Sequence, residues 1–187
     1  MPPKVKITKE DIINATVQLV RENGERAINA RAVATALNCS TQPVFSNFQA
    51  MEELRAATLA AVYEIYSSFL KREAENGEYP KYKAFGMAYI RFAKEEKELF
   101  KLLFMRDRTE ENTAVTTDDV EASVEYIMNS SGVTREKALL MHLEIWTSVH
   151  GIAVMIATSF LSFDWKMIGD MLSDVYQGIR LRHTEVN

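Results

Sequence analysis

The chain has 187 residues, 47% of them hydrophobic and 26% charged, with a formal net charge of −4. That suffices for a real core, while 7 glycines and 4 prolines are too few for a turn-rich β fold. A single cysteine, Cys39, excludes an internal disulfide framework and fits a reducing cytoplasm, and the opening MPPKVKITKED lacks the apolar core of a secretory signal. Residues 1–55 hold 7 Lys+Arg against 6 Asp+Glu, so this part is the less acidic one, a slight hint of a polyanionic partner.

The pattern predicts an all-α chain of about nine helices. Thr8 with Asp11 resembles a capping box, and Ile12, Ile13, Ala15, Thr16, Leu19 and Val20 give the first helix an apolar face that stops at Asn23-Gly24. A short helix follows Asn29, with Ala30, Val33, Ala34 and Leu37 apolar, and Asn38 ends it at a position suited to positive φ. Ser40 is expected to cap a third helix whose first turn accommodates Pro43. A long helix then opens at Met51, followed by helices near 81–95 and 96–106, a polar loop over 106–117, and a helix over about 118–129. Two long final helices are expected at about 134–160, capped by Thr134, and 164–182, capped by Asp164.

Helix, stop, short helix, tight turn and short helix is the helix-turn-helix pattern, though an ordinary three-helix corner uses the same turn chemistry. The stretch Cys39–Phe48, CSTQPVFSNF, carries no charge at all. Short polar groups on such a helix let it enter the major groove, where Gln42 can bond adenine bidentately and Thr41 or Pro43 can touch a thymine methyl. The plainer account is capping by Ser40 and Thr41 with Gln42 merely exposed; Phe48 belongs to the core.

Residues Gly24 to Leu54, GERAINARAVATALNCSTQPVFSNFQAMEEL, resemble the amino-terminal DNA-binding domain of TetR-type transcriptional regulators. Asn29 stands at the family's Thr, Val33-Ala34 at Ile-Ala, Leu37 to Ser40 at Ala-Gly-Val-Ser, Val44-Phe45 at Leu-Tyr, and Asn47-Phe48 at His-Phe. The likeness covers about 45 residues from Ile7, and WTSVHG (Trp146–Gly151) is similar to a Trp-His-Gly element in the regulatory domain of one subgroup. The resemblance implies a DNA-binding domain over 1–48 and a helical effector-binding and dimerisation domain over 49–187. It implies DNA contacts from Asn29, Arg31, Ser40, Thr41, Gln42, Pro43, Phe45, Ser46 and Asn47, with Lys4, Lys6 and Arg26 as supplementary cations or plain solvated surface. Two positions depart from the pattern. Phe45 lacks the hydroxyl of the family Tyr, and Met51 replaces a family Lys, so two usual holds on the phosphate backbone are gone.

Ile145 to Phe163 is a run of 19 residues without formal charge, long enough to span a membrane. Polar or small residues throughout it, and flanking Glu144 and Asp164, favour a helix buried in the protein or against a second copy. No nucleophile elbow, phosphate loop or zinc-protease pair points to catalysis, and no cofactor is implied. His142 and His150 are eight residues apart, about 12 Å along a helix, too far to share a metal. His150 reads as a hydrogen-bonded core histidine or as a pocket or interface group. Seven of the nine methionines lie beyond residue 80 among large aromatics, which fill cores and also line forgiving apolar pockets. Tyr63, Tyr89, Phe92, Trp146 and His150 are the candidate contacts for a small apolar or aromatic effector.

The expected protein is a cytoplasmic homodimer that pairs through its last two helices and binds a near-palindromic double-stranded operator, a repressor released by its effector. The rival is a protein of the same fold that binds a protein or lipid, its hold on DNA weakened or lost.

Overall fold

The computed structural model describes residues 7–109 and 118–185, so Lys4, Lys6 and residues 110–117 of the expected loop lie outside the described residues. Within them all regular structure is helical, and no strand is present: α1 (Lys9–Asn23), α2 (Ala30–Ala36), α3 (Gln42–Asn47), α4 (Met51–Ala74), α5 (Lys81–Glu95), α6 (Lys97–Phe104), α7 (Asp118–Ser131), α8 (Arg135–Ala157) and α9 (Trp165–Glu185). The chain divides into two compact units, Met1–Ser68 with Glu96–Arg106, and Phe69–Glu95 with Asp107–Asn187.

In the first unit the Thr8 hydroxyl accepts from the Asp11 N–H at 3.1 Å while the Asp11 carboxylate accepts from the Thr8 N–H at 2.8 Å, so α1 starts on a complete capping box. Gly24 closes α1 at φ 74, a conformation that glycine adopts cheaply. Asn29 caps α2 by accepting from the Ala32 N–H at 2.9 Å. The α2–α3 turn is a Schellman motif: Asn38 sits at φ 49, its N–H bonds Thr35 O at 3.1 Å, and the Cys39 N–H bonds Ala34 O at 2.9 Å.

The expected Ser40 cap is not what starts α3. Thr41 holds that place with helical dihedrals and no side-chain cap, its carbonyl accepting from Val44 and Phe45, while Pro43 in the first turn needs no N–H partner. Ile12, Val33, Val44, Phe48 and Leu54 form the core that joins α1, α2, α3 and the start of α4. Helices of six and seven residues cannot stand on propensity, so this core is what holds α3 and α2 in place. The same unit includes α6, which buries Leu99, Phe100, Leu102 and Leu103. Glu96, just ahead of α6, accepts from Arg21 Nε of α1 at 2.7 Å.

In the second unit α8 packs against α5, α7 and α9. Val124, Ile127, Ala138 and Met141 join α7 to α8. At Gly86 of α5 a Cβ would come within 3.3 Å of Val149 and 3.5 Å of Leu172, so the missing side chain lets α8 and α9 approach closely. Asp164 starts α9, its carboxylate accepting from the Met167 N–H at 2.7 Å.

The expected helix through Phe160 ends earlier, at Ala157. Thr158 is the C-cap, Ser159 takes φ 56, and the Phe160 N–H reaches back to Met155 O at 2.9 Å in a second Schellman motif. The uncharged run 145–163 is therefore a helix end followed by a turn rather than one span. Among the described residues α8 as a whole is nonetheless one helix long and apolar enough to cross a membrane.

Candidate functional site

The three-helix end of the first unit presents α3 outward. Val44 and Phe48 point into the core, with 1% and 2% of their surface exposed. Gln42, Phe45 and Ser46, spaced three and four apart, occupy the opposite, exposed face. Thr41, Pro43 and Asn47 are half-buried at its edges, and Ser40 is exposed in the turn.

Not all of this polarity is available to a partner. Ser46 Oγ donates to Gln42 O at 2.9 Å and Asn47 Nδ2 donates to Pro43 O at 2.8 Å, so both are turned back onto their own helix. Asn29 is spent as the α2 cap. No hydrogen bond engages the Gln42 amide among the described residues, and Phe45 is 56% exposed. Arg31 and Arg26 are exposed, and neither has an ion pair among the described residues. Lys9, absent from the sequence-level candidates, lies at the head of α4: its Nζ meets Glu53 Oε1 at 2.8 Å and sits 4.7 Å from the centre of the Phe48 ring. That hydrogen bond, with one from the Gln49 N–H, lowers the Glu53 carboxyl below its usual range.

Of the five effector candidates, three come together in the second unit. Tyr89 of α5, 5% exposed, bonds His150 Nδ1 of α8 through its hydroxyl at 2.8 Å, and the Trp146 ring stacks on His150 at 5.0 Å and 12°. Phe92, fully buried, packs edge-on against Phe69 at 5.4 Å. Tyr63 belongs to the first unit, where it lies 5.9 Å from Tyr66 and is 46% exposed. Between α8 and α9 there is an open depression of about 630 Å³, lined by Glu144, Thr147, Ser148, Asp174, Gly178 and Arg182 among others, and by none of the five.

Residues 82–172 match the family model described as the tetracyclin repressor-like C-terminal domain. The chain belongs to the TetR family. No curated protein matches the chain. Tyr89, Phe92, Trp146 and His150 fall inside the matched TetR domain, whereas the α1–α3 residues precede it.

The TetR domain also holds a polar cluster that sequence reasoning missed. Tyr82 of α5 bonds His142 Nδ1 of α8 at 3.0 Å, stacks on Tyr126 of α7 at 5.6 Å and 5°, and lies 6.0 Å from Tyr176 of α9. Burial holds the Tyr82 hydroxyl protonated far above the usual tyrosine range and lowers the His142 imidazole below the usual histidine value. Burial lowers His150 in the same way. In a neutral imidazole the tautomer sets the direction of each bond: with the proton on Nε2, Nδ1 accepts from the tyrosine hydroxyl. The available signal was spacing: tyrosines seven apart on α5 match histidines eight apart on α8, about two turns in each. Among the described residues no cluster of His, Cys, Asp or Glu is placed to hold a metal ion.

Proposed function

We propose that this TetR-family protein is a cytoplasmic, homodimeric transcriptional regulator that binds a near-palindromic operator as a repressor and leaves it when a small apolar or aromatic effector binds. The observation that carries the reading is the exposed, charge-free face of α3, held on a three-helix core by Val44 and Phe48. Gln42 is its one unengaged amide, the group suited to an adenine edge, and Arg31 is a cation available to phosphate.

Dimerisation through α8 and α9 is supported by apolar side chains left exposed there, Leu140, Met167, Met171 and Leu181. The depression between the two helices, lined in part by the small residues Ser148 and Gly178, leaves room for the close approach of a second copy. The effector reading is supported by the Tyr89–His150–Trp146 cluster in the TetR domain. An effector shifts such a protein off DNA only by binding more tightly to the form with the wrong head spacing.

The test is footprinting of the region upstream of the gene for this chain, repeated across salt. A protected palindrome and a steep loss of affinity with salt support the regulator. Gln42→Ala should then weaken the specific site more than random DNA. The rival, a TetR-fold protein that binds a protein or lipid instead, is favoured by one set of facts: Phe45 lacks a hydroxyl, and Ser46, Asn47 and Lys9 are already engaged. No protected site even at low salt would select it.

A further inference from the structure

A single exposed apolar side chain is ordinary on a protein surface. What sets Phe45 apart is its company. It lies on the exposed face of a six-residue helix, with 56% of its surface open, between Gln42 and Ser46. The polar groups that could share that face are withdrawn, because Ser46 and Asn47 bond their own helix carbonyls at 2.9 and 2.8 Å. Phe45 has no hydroxyl, so it cannot reach a phosphate oxygen by hydrogen bonding. The most exposed groups on that face not bonded to their own helix are thus one amide and one bare aromatic ring, with no formal charge from Cys39 to Phe48.

We infer that Phe45 is a specificity-determining residue that packs on the C5-methyl group of a thymine in the major groove. This rests on the DNA-binding reading above and deepens it. In the major groove the thymine methyl is the one apolar feature that marks a base, and a phenylalanine ring is among the side chains that contact it. Ring and amide also fix where that thymine lies. Residues three apart on a helix have Cβ atoms about 5–6 Å apart, and successive bases stack about 3.4 Å apart along a strand. The thymine therefore falls within two base steps of the adenine that Gln42 reads. The half-site carries an adenine recognised by hydrogen bonds and, within two base steps of it, a thymine recognised by its methyl.

The experiment uses the full-length chain. A pool of random duplexes is enriched for binding, and each thymine of the enriched half-site is replaced in turn by uracil, which removes only the methyl. Removing the methyl at one thymine, within two base steps of an adenine, should weaken wild-type binding about fourfold, the effect of burying one such group. Phe45→Ala should bind the thymine and uracil duplexes equally, while Phe45→Tyr, which keeps the ring, should retain the wild-type ratio. Because Phe45 is more than half exposed, the alanine variant should keep the wild-type far-UV circular dichroism. An enriched site with no methyl-sensitive thymine, or an alanine variant that keeps the wild-type thymine-to-uracil ratio, overturns the role of Phe45 and leaves the regulator standing. A chain that enriches no sequence overturns both.

Discussion

The two units differ in how they treat polar groups in their interiors. In the first, buried Thr16 and Thr58 donate to Ile12 O and Leu54 O, carbonyls of their own helices at 2.7 and 2.8 Å. Among the described residues both of these buried threonines bond within their own helix, while polar ties between elements of that unit include the more open ion pairs Lys9–Glu53, Arg21–Glu96 and Arg55–Glu25. In the second unit the bonds cross, from Tyr82 and Tyr89 on α5 to His142 and His150 on α8. The lesson concerns specificity. A core closed by apolar contacts tolerates small shifts of helix against helix, whereas a buried hydrogen bond between two helices demands one arrangement.

The largest effect that would sharpen this contrast is Leu54→Ala. It opens a cavity in the core under α3 and should cost about 2–5 kcal/mol. Both tryptophans, Trp146 and Trp165, lie in the second unit, so their fluorescence reports that unit while circular dichroism reports all the helices. A circular-dichroism midpoint that falls further in denaturant than the fluorescence midpoint would show the units melting separately; equal shifts would show one cooperative body. Tyr82→Phe should come next, at about 1–3 kcal/mol, because it leaves the buried His142 Nδ1 without its hydrogen-bond partner. Its loss should register in fluorescence first.

Acid provides a test without mutation. The folded-state values of His142 and His150 lie below the unfolded value of about 6.5. Above that pH both states hold neutral rings and the two histidines add no pH dependence. As pH falls below it, the unfolded chain takes up protons that the folded chain resists, so stability declines toward the lower folded values. A denaturation series from pH 7.5 to 5 should show this decline, and His142→Asn with His150→Asn should flatten it. Arg21→Ala, breaking a partly buried pair, should cost on the order of 1 kcal/mol and matter less at high salt. Smallest of all, Thr58→Val should change stability by well under about 1 kcal/mol, because Leu54 O already has its helical partner. A loss as large as that of Tyr82→Phe would erase the distinction between local and crossing bonds.

Local chemistry made most helices legible in the sequence. Thr8-Asp11, Asn29, Asn38, Thr134 and Asp164 are caps or turn residues whose side chains signal their role within three or four positions. The end of α8 was hidden because Ser159 takes the left-handed conformation that glycine or asparagine usually announces. Ser40 misled because it and Thr41 are equally good caps on paper, and the turn geometry chose the second. Pairs such as Arg21–Glu96 and Tyr82–His142, 75 and 60 residues apart, leave no local pattern at all. At the candidate interface, the family resemblance named Gln42 and Phe45, and the fold put both on one exposed face. The turning back of Ser46 and Asn47 had to be seen in the fold.

Tyr82 meets His142 and Tyr89 meets His150, in the same order along both helices, so α5 and α8 run in the same direction past each other. The pairs form a ladder with two rungs. Sliding α8 along α5 by a single turn, about 5.4 Å, would take both histidines out of reach at once and leave four polar groups stranded among apolar side chains. The ladder is a mechanical detent: it lets α5 and α8 travel as a block and penalises any motion that separates their register.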